Sequence, residues 1–208
     1  MRTLGSASSS KERAEFKQVI LITGTPGVGK TTISKKLAAR LAATHINLTD
    51  LVRREKLTSG YDRRRRTWIA DTNKLATRLK QIIAQRGNFV IDGHYAAEMI
   101  PESQVTKVFV LRRHPERLKK QLEKRGFEGA KLWENLAAEV LDVCLHDAVM
   151  NAGVDKVCEV DTTDKRSQET VDEIMSILDG KVACCTGTTD WLEKLEQERK
   201  LDQYLKHF

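Results

Sequence analysis

Nine consecutive residues, Gly24-Thr25-Pro26-Gly27-Val28-Gly29-Lys30-Thr31-Thr32, have the types and spacing of a phosphate cradle, G-x-x-x-x-G-K-[ST]. Glycines let the backbone curl until several N–H groups point inward at one phosphate. A helix starting behind the turn adds the partial positive charge of its N-terminus. Lys30 is then within reach of β- and γ-phosphates, the Thr31 hydroxyl is a ligand for Mg²⁺, and Thr32 can donate to an α-phosphate.

Phosphoryl transfer needs positioning and charge neutralisation more than covalent help. Asp92 ends an apolar run, Asn88-Phe89-Val90-Ile91-Asp92, and is the expected carboxylate beside the metal or its water shell. His94 follows two residues later. In a continued strand it faces the same side as Asp92, suited to orient a water or contact a phosphate. Arg125 stands before Gly126 at a helix end, where a lid can bring it over ATP to offset transition-state charge. Arg53 is suited to hold the phosphate of an acceptor nucleotide. The run Arg63 to Arg66 reads most simply as a solvated face, with RNA contact as the sharper alternative.

These groups need a scaffold that brings distant segments to one edge. Gln18 to Thr23 reads as a buried strand, and Ile33, Leu37 and Leu41 mark one face of the helix after the loop. His45 to Leu48 reads as a second short strand, followed by a capped helix over Thr49 to Glu55. Thr58 to Asp62 reads as a turn. A helix is expected from Asp71, with Leu75, Leu79, Ile82 and Ile83 on one face and Gly87 closing it. Asn88 to Asp92, Val105 to Leu111 and Val154 to Val160 read as further strands. Pro115 suits the first turn of a helix ending near Arg125. One long helix is expected from about Ala130 through Cys144, and another capped by Ser167. Asp190-Trp191-Leu192-Glu193 resembles a capping box opening a C-terminal helix, docked by Trp191, Leu195, Tyr204 and Leu205. Strands alternating with helices predict an α/β fold with a largely parallel sheet, binding its ligand outside the carboxyl ends of the strands.

The 208 residues suit one domain over 17–180, preceded by a disordered serine-rich tail over 1–16 and followed by an extension over 181–208 that carries a helix. The net charge of +7 favours anionic partners, with nucleotide the default. Cys144, Cys158, Cys184 and Cys185 lack CxxC spacing, so neither a zinc site nor a disulfide framework is expected. The cysteines read as incidental thiols of a reducing cytosol. No apolar run has transmembrane length and no secretory h-region follows Arg2, so no membrane role is expected.

Taken together, GTPGVGKTT, HINLTDLVRREKL with GYD, FVIDGH, VFVLRRHPERLKKQLEKRGF and KLWENLAAEVLDVCLHDA resemble the archaeal and eukaryotic adenylate kinases that double as small-ribosomal-subunit assembly ATPases, the coilin-interacting nuclear ATPase family. VDKVCEVDTT and Asp190-Trp191 look closest to its archaeal branch. The resemblance runs from about Val19 to Trp191. It implies a three-layer P-loop fold of nucleoside monophosphate kinase type, with a five-stranded parallel sheet in the order 2-3-1-4-5. It implies Mg²⁺-ATP held by Gly27, Gly29, Lys30, Thr31 and Thr32. It also implies a monophosphate-binding segment over 47–70 with Asp50 and Arg53 at matching positions, and a lid over 124–134 with Arg125 on the ATP. Asp92 and His94 match the family's modified Walker B step. AMP is the implied acceptor and a platform protein of the small ribosomal subunit the implied partner. The compartment is the cytoplasm, or the nucleus as well for a eukaryotic chain. The chain departs from its relatives at Arg63 to Arg66, where they carry acidic residues. A nucleotide-switched assembly factor with little AMP kinase activity is the alternative function, and a kinase of another small metabolite fits the loop but not the Asp92–His94 step.

Overall fold

The structure, a computed structural model, describes residues 17–63 and 67–206. The tail expected over 1–16 and the arginines at 64–66 lie outside the described residues.

Strand β1 (Val19–Thr23) is buried along its whole length, as a β-branched and apolar run must be when helices cover both faces of a sheet. It lies between β5 (Phe89–Asp92) and β6 (Lys107–Arg112). Outside these lie β2 (Thr44–Asn47) and β7 (Val157–Asp161), giving the order β2-β5-β1-β6-β7. All four pairings are parallel. Counted along the sheet's own strands this is 2-3-1-4-5, the expected order. The carboxyl ends Thr23, Asn47, Asp92, Arg112 and Asp161 therefore share one edge.

Alternation along the strands divides the core in two. Ile20, Ile22, Val90, Phe109, Leu111 and Val160 point to one face, against α1 (Lys30–Arg40), α5 (Pro115–Lys124), α6 (Gly129–Val140) and α8 (Ser167–Leu178). Val19, Leu21, Ile91, Val108 and Val110 point to the other, against α2 (Leu48–Glu55), α3 (Thr72–Ile83), α4 (Ala96–Met99) and α7 (Val143–Ala152). The result is a three-layer α/β/α sandwich. Asn47 caps α2 and Asp71 caps α3, each side chain accepting from a backbone N–H three residues on.

Several expectations are corrected. Thr58–Asp62 is not a turn but strand β3, paired antiparallel with β4 (Thr67–Ala70). The reading missed it because Ser59, Gly60 and Asp62 are poor strand formers, and cross-strand pairing supplies what propensity does not. The helix expected to run from Ala130 through Cys144 is two helices. Asp142 takes a left-handed φ of 55° and breaks it, while its carboxylate bonds Arg112. Arg166 rather than Ser167 occupies the cap of α8. The Glu169 carboxylate accepts its N–H at 2.7 Å, and the Ser167 hydroxyl accepts from Lys36. Residues 154–156 form a 3₁₀ turn before β7. The C-terminal helix is α9 (Trp191–Gln197) and α10 (Leu201–Leu205), separated where Arg199 adopts a φ of 55°. Trp191, Leu195 and Tyr204 are buried as expected.

The cysteine expectation is overturned as well. Cys158 of β7 and Cys184 form a disulfide, with Cα atoms 5.0 Å apart. Spacing in sequence carried no trace of this, because the pairing depends on the chain's return after α8. Cys144 is half-buried and Cys185 exposed, both as free thiols. The bridge closes a loop across a separation of 26 residues. Cys184→Ser is expected to lower the free energy of unfolding by ~2–4 kcal/mol, measured by urea denaturation without reductant. An unchanged midpoint would show that the bridge stabilises nothing.

Candidate functional site

The phosphate cradle is built by close approach of backbone to backbone. Gly24 has φ +130°, and a Cβ there would stand 2.3 Å from the Leu111 carbonyl oxygen of β6. At Gly27, with φ +96°, a Cβ would come 2.9 Å from Leu118 of α5. Only glycine fits either position. Gly29 caps α1 without a side-chain cap bond, and its carbonyl accepts from the Thr32 and Ile33 N–H groups, each at 3.1 Å. The Lys30 ammonium donates to the Gly24 and Thr25 carbonyls at 2.6 and 3.0 Å, spanning the cradle.

Asp92 ends β5 with 1% exposure. Its Oδ1 accepts from the Thr31 hydroxyl at 3.1 Å and from Asn47 Nδ2 at 2.6 Å, and its Oδ2 lies 2.5 Å from His45 Nε2. The β2–β5 register places Asn47 beside Asp92, with His45 on the same face of β2. Asn47 also donates to the Thr31 hydroxyl at 3.2 Å.

Behind the loop sits a buried ionic cluster. The Arg112 guanidinium bonds the carboxylates of Glu139, Glu159 and Asp142, and the Glu139 carbonyl. Burial works against its charge, yet the surrounding carboxylates outweigh this and hold its pKa above the ordinary arginine value. Glu139 also accepts from the Thr25 hydroxyl at 2.5 Å, the Arg113 N–H at 3.0 Å and the Trp191 indole at 3.1 Å. Glu159 accepts from the N–H groups of Thr188 and Thr189. The C-terminal extension is thus bonded to the same cluster as the phosphate loop.

Desolvation lowers the Lys30 pKa to about 8, and the charge of Arg125 adds to this, against the attraction of Asp92 and Glu139. His94 is exposed at the cleft, its ring 3.9 Å from that of Tyr95. Desolvation, with the neighbouring Lys30 charge, lowers its pKa to about 4, so the imidazole is neutral at physiological pH.

Gly27, Gly29, Lys30, Thr31, Thr32, Asp92, His94 and Arg125 line one cleft at the strand ends. His94 arrives by another route than expected. The strand stops at Asp92, and His94 sits in the turn before α4, its carbonyl accepting from the Thr23 hydroxyl at 3.2 Å. Arg125 caps the end of α5, and the connection expected to act as a lid reduces to residues 125–128 before α6 begins. Asp50 and Arg53 lie on the exposed face of α2 and do not line the cleft, whereas Thr49 does. Arg63 is exposed at the end of β3.

His45, Asn47 and Glu139 are the polar groups that sequence reasoning passed over. The signal for the first two was the polar–apolar–polar step His45-Ile46-Asn47 in a short strand. For Glu139 it was a carboxylate at helical spacing among Leu132, Leu136 and Val140.

The AAA-domain family model matches residues 20–142. A protein of Methanocaldococcus jannaschii named "Putative adenylate kinase" is 39% identical over 175 residues, covering 84% of this chain and 93% of its own. The chain belongs to this family of P-loop kinases. A second member, from Saccharolobus solfataricus and with the same name, is 36% identical over 89% of this chain and 93% of its own. The fold of the family extends to remote P-loop kinases. Shikimate kinase of Bacteroides thetaiotaomicron superposes with a TM-score of 0.55 at 18% identity, over 78% of this chain and 98% of that one. A gluconokinase of Sinorhizobium meliloti gives 0.52 at 15%, over 88% and 98%. At these identities the likeness is one of fold alone.

The lowered Lys30 pKa has a measurable consequence for a P-loop member. A phosphate held by Lys30 would bind its ammonium form, so nucleotide binding there is expected to raise the pKa from about 8 and to take up a proton above that pH. Affinity is expected to hold below pH 8 and to fall above it by up to ~tenfold per unit. Calorimetry at about pH 8.5 in buffers of different ionisation enthalpy reads the uptake directly. Equal heats in those buffers would show that Lys30 is already fully protonated.

Proposed function

We propose that this chain transfers the γ-phosphoryl group of Mg²⁺-ATP to AMP, giving two ADP. The observation that carries the reading is the convergence of Lys30, the Thr31–Asp92 pair and Arg125 on one cleft at the sheet's carboxyl edge. The name shared by the archaeal relatives supports AMP as acceptor.

In this reading the loop N–H groups and the helix α1 N-terminus bind the triphosphate. Lys30 exchanges its carbonyl partners for β- and γ-oxygens. An oxygen of the AMP phosphate attacks the γ-phosphorus, the bond to the β–γ bridging oxygen breaks, and ADP leaves. Arg125 meets the charge on the transferring group. Arg53 and Asp50, on the face of α2 next to Thr49, hold the acceptor, with the β3–β4 hairpin completing its segment.

The donor set suits magnesium, which favours hard oxygen ligands and keeps several waters. Thr31 Oγ1 would hold it directly and Asp92 would act through Thr31, since protein donors already occupy both carboxylate oxygens. Bound there, the ion would supply neutralisation of the phosphate charge. His94, neutral at working pH, contributes hydrogen bonding rather than charge.

Chromatography of nucleotides with and without AMP tests the proposal. ADP is expected to form rapidly only with AMP present, at two per ATP consumed. Hydrolysis indifferent to AMP would overturn it in favour of the assembly-ATPase reading. Lys30→Ala is expected to abolish turnover while the fold persists, and Arg125→Ala to lower kcat by ~10³ with little change in the KM for ATP. Turnover near the wild-type level in Lys30→Ala would remove this cleft as the active site.

A further inference from the structure

We propose that His45 is a positioning residue for Asp92, fixing the carboxylate so that Thr31 can present its remaining lone pair to the metal. The inference rests on the reading above that Thr31 and Asp92 organise Mg²⁺. His45 does not line the cleft, so its action on the chemistry must pass through Asp92.

The geometry is that of a carboxylate held from two sides. Thr31 and Asn47 engage Oδ1 at 3.1 and 2.6 Å, while His45 engages Oδ2 at 2.5 Å. At 1% exposure Asp92 has little recourse to water, and an unpartnered oxygen there carries a desolvation cost. The carboxylate accepts, so the hydrogen donated is the one on Nε2, with Nδ1 turned away from Asp92. The side chain of His45 is 18% exposed.

Losing this contact frees the carboxylate to turn. Lys30 lies close enough for the two charges to attract, and offers a competing partner. Asp92 rotated towards Lys30 would release the Thr31 hydroxyl, whose hydrogen now points to Oδ1 and whose oxygen accepts from Asn47, leaving one lone pair for a ligand. Thr31 would then meet the metal with its orientation unset. Outer-sphere partners of this kind typically govern metal affinity by ~10–100-fold.

The test pairs two variants with one measurement on the unmodified protein. His45→Phe keeps a ring and removes the donor, while His45→Gln places an amide N–H near the position of Nε2. Binding of a fluorescent ATP analogue is titrated with Mg²⁺, and then repeated in EDTA. His45→Phe is expected to raise the half-saturating Mg²⁺ concentration by ~10–100-fold and leave affinity in EDTA unchanged. His45→Gln is expected to recover most of the loss. A folded His45→Phe with wild-type Mg²⁺ dependence overturns the proposal, as does a His45→Gln that fails equally, since packing would then explain both.

Nitrogen-15 NMR of the wild-type ring needs no variant. A protonated Nε2 supports the inference, and a bare Nε2 with its proton on Nδ1 overturns it. None of these readouts requires phosphoryl transfer. A protein that binds Mg²⁺-ATP but makes no ADP from AMP would fail the functional reading while leaving the role of His45 decided on its own evidence.

Discussion

The Arg112 guanidinium, 2% exposed, is the interaction on which the assembly of this molecule turns. It joins β6 to β7 through Glu159, to α6 through Glu139, and to the break between α6 and α7 through Asp142. Bringing such charges out of water costs several kcal/mol per ion, and a hydrophobic substitute often packs as well. Here a hydrophobic substitute would not serve, because the carboxylates have other partners. Glu139 also fixes Thr25 in the phosphate loop and Trp191 in the extension. A buried arginine lets one glutamate sit in the core, fully partnered, and still face a backbone loop that must hold one shape.

The same arrangement explains how the cleft divides its work. Asp92 is enclosed by donors from β2 and α1, so its influence on the cleft is exerted through Thr31. Lys30 sits in a setting where burial erodes its charge, and the His94 ring is held neutral beside it. Arg125 lies exposed at the end of α5, on the rim of the cleft.

Much of this was legible in the sequence because it follows from local rules. The loop, the buried strands and the Asp71 and Asp190 caps each depend on residues within a few positions of one another. The carboxylate at the end of β5 was legible for the same reason. What was hidden depends on chain segments meeting. His45 acquires meaning only when β2 lies beside β5, and Glu139 only when α6 crosses behind the loop. The β3 strand reads as a turn until β4 pairs with it. Asp142 gave no sign of breaking a helix, because the arginine that rewards the break is thirty positions away.

β7 lies at one end of the sheet, where unpaired N–H and C=O groups can recruit a strand from another molecule. The extension lies against that border. The Glu159 N–H of β7 donates to the Cys185 carbonyl at 2.8 Å, and the neighbouring Cys184 is covalently tied to Cys158 of the same strand. Glu159 then collects the next N–H groups, at Thr188 and Thr189, on its carboxylate. The segment that carries α9 and α10 thus also blunts an aggregation-prone margin of the sheet. The covalent tie keeps this cover in place when the hydrogen bonds beside it open.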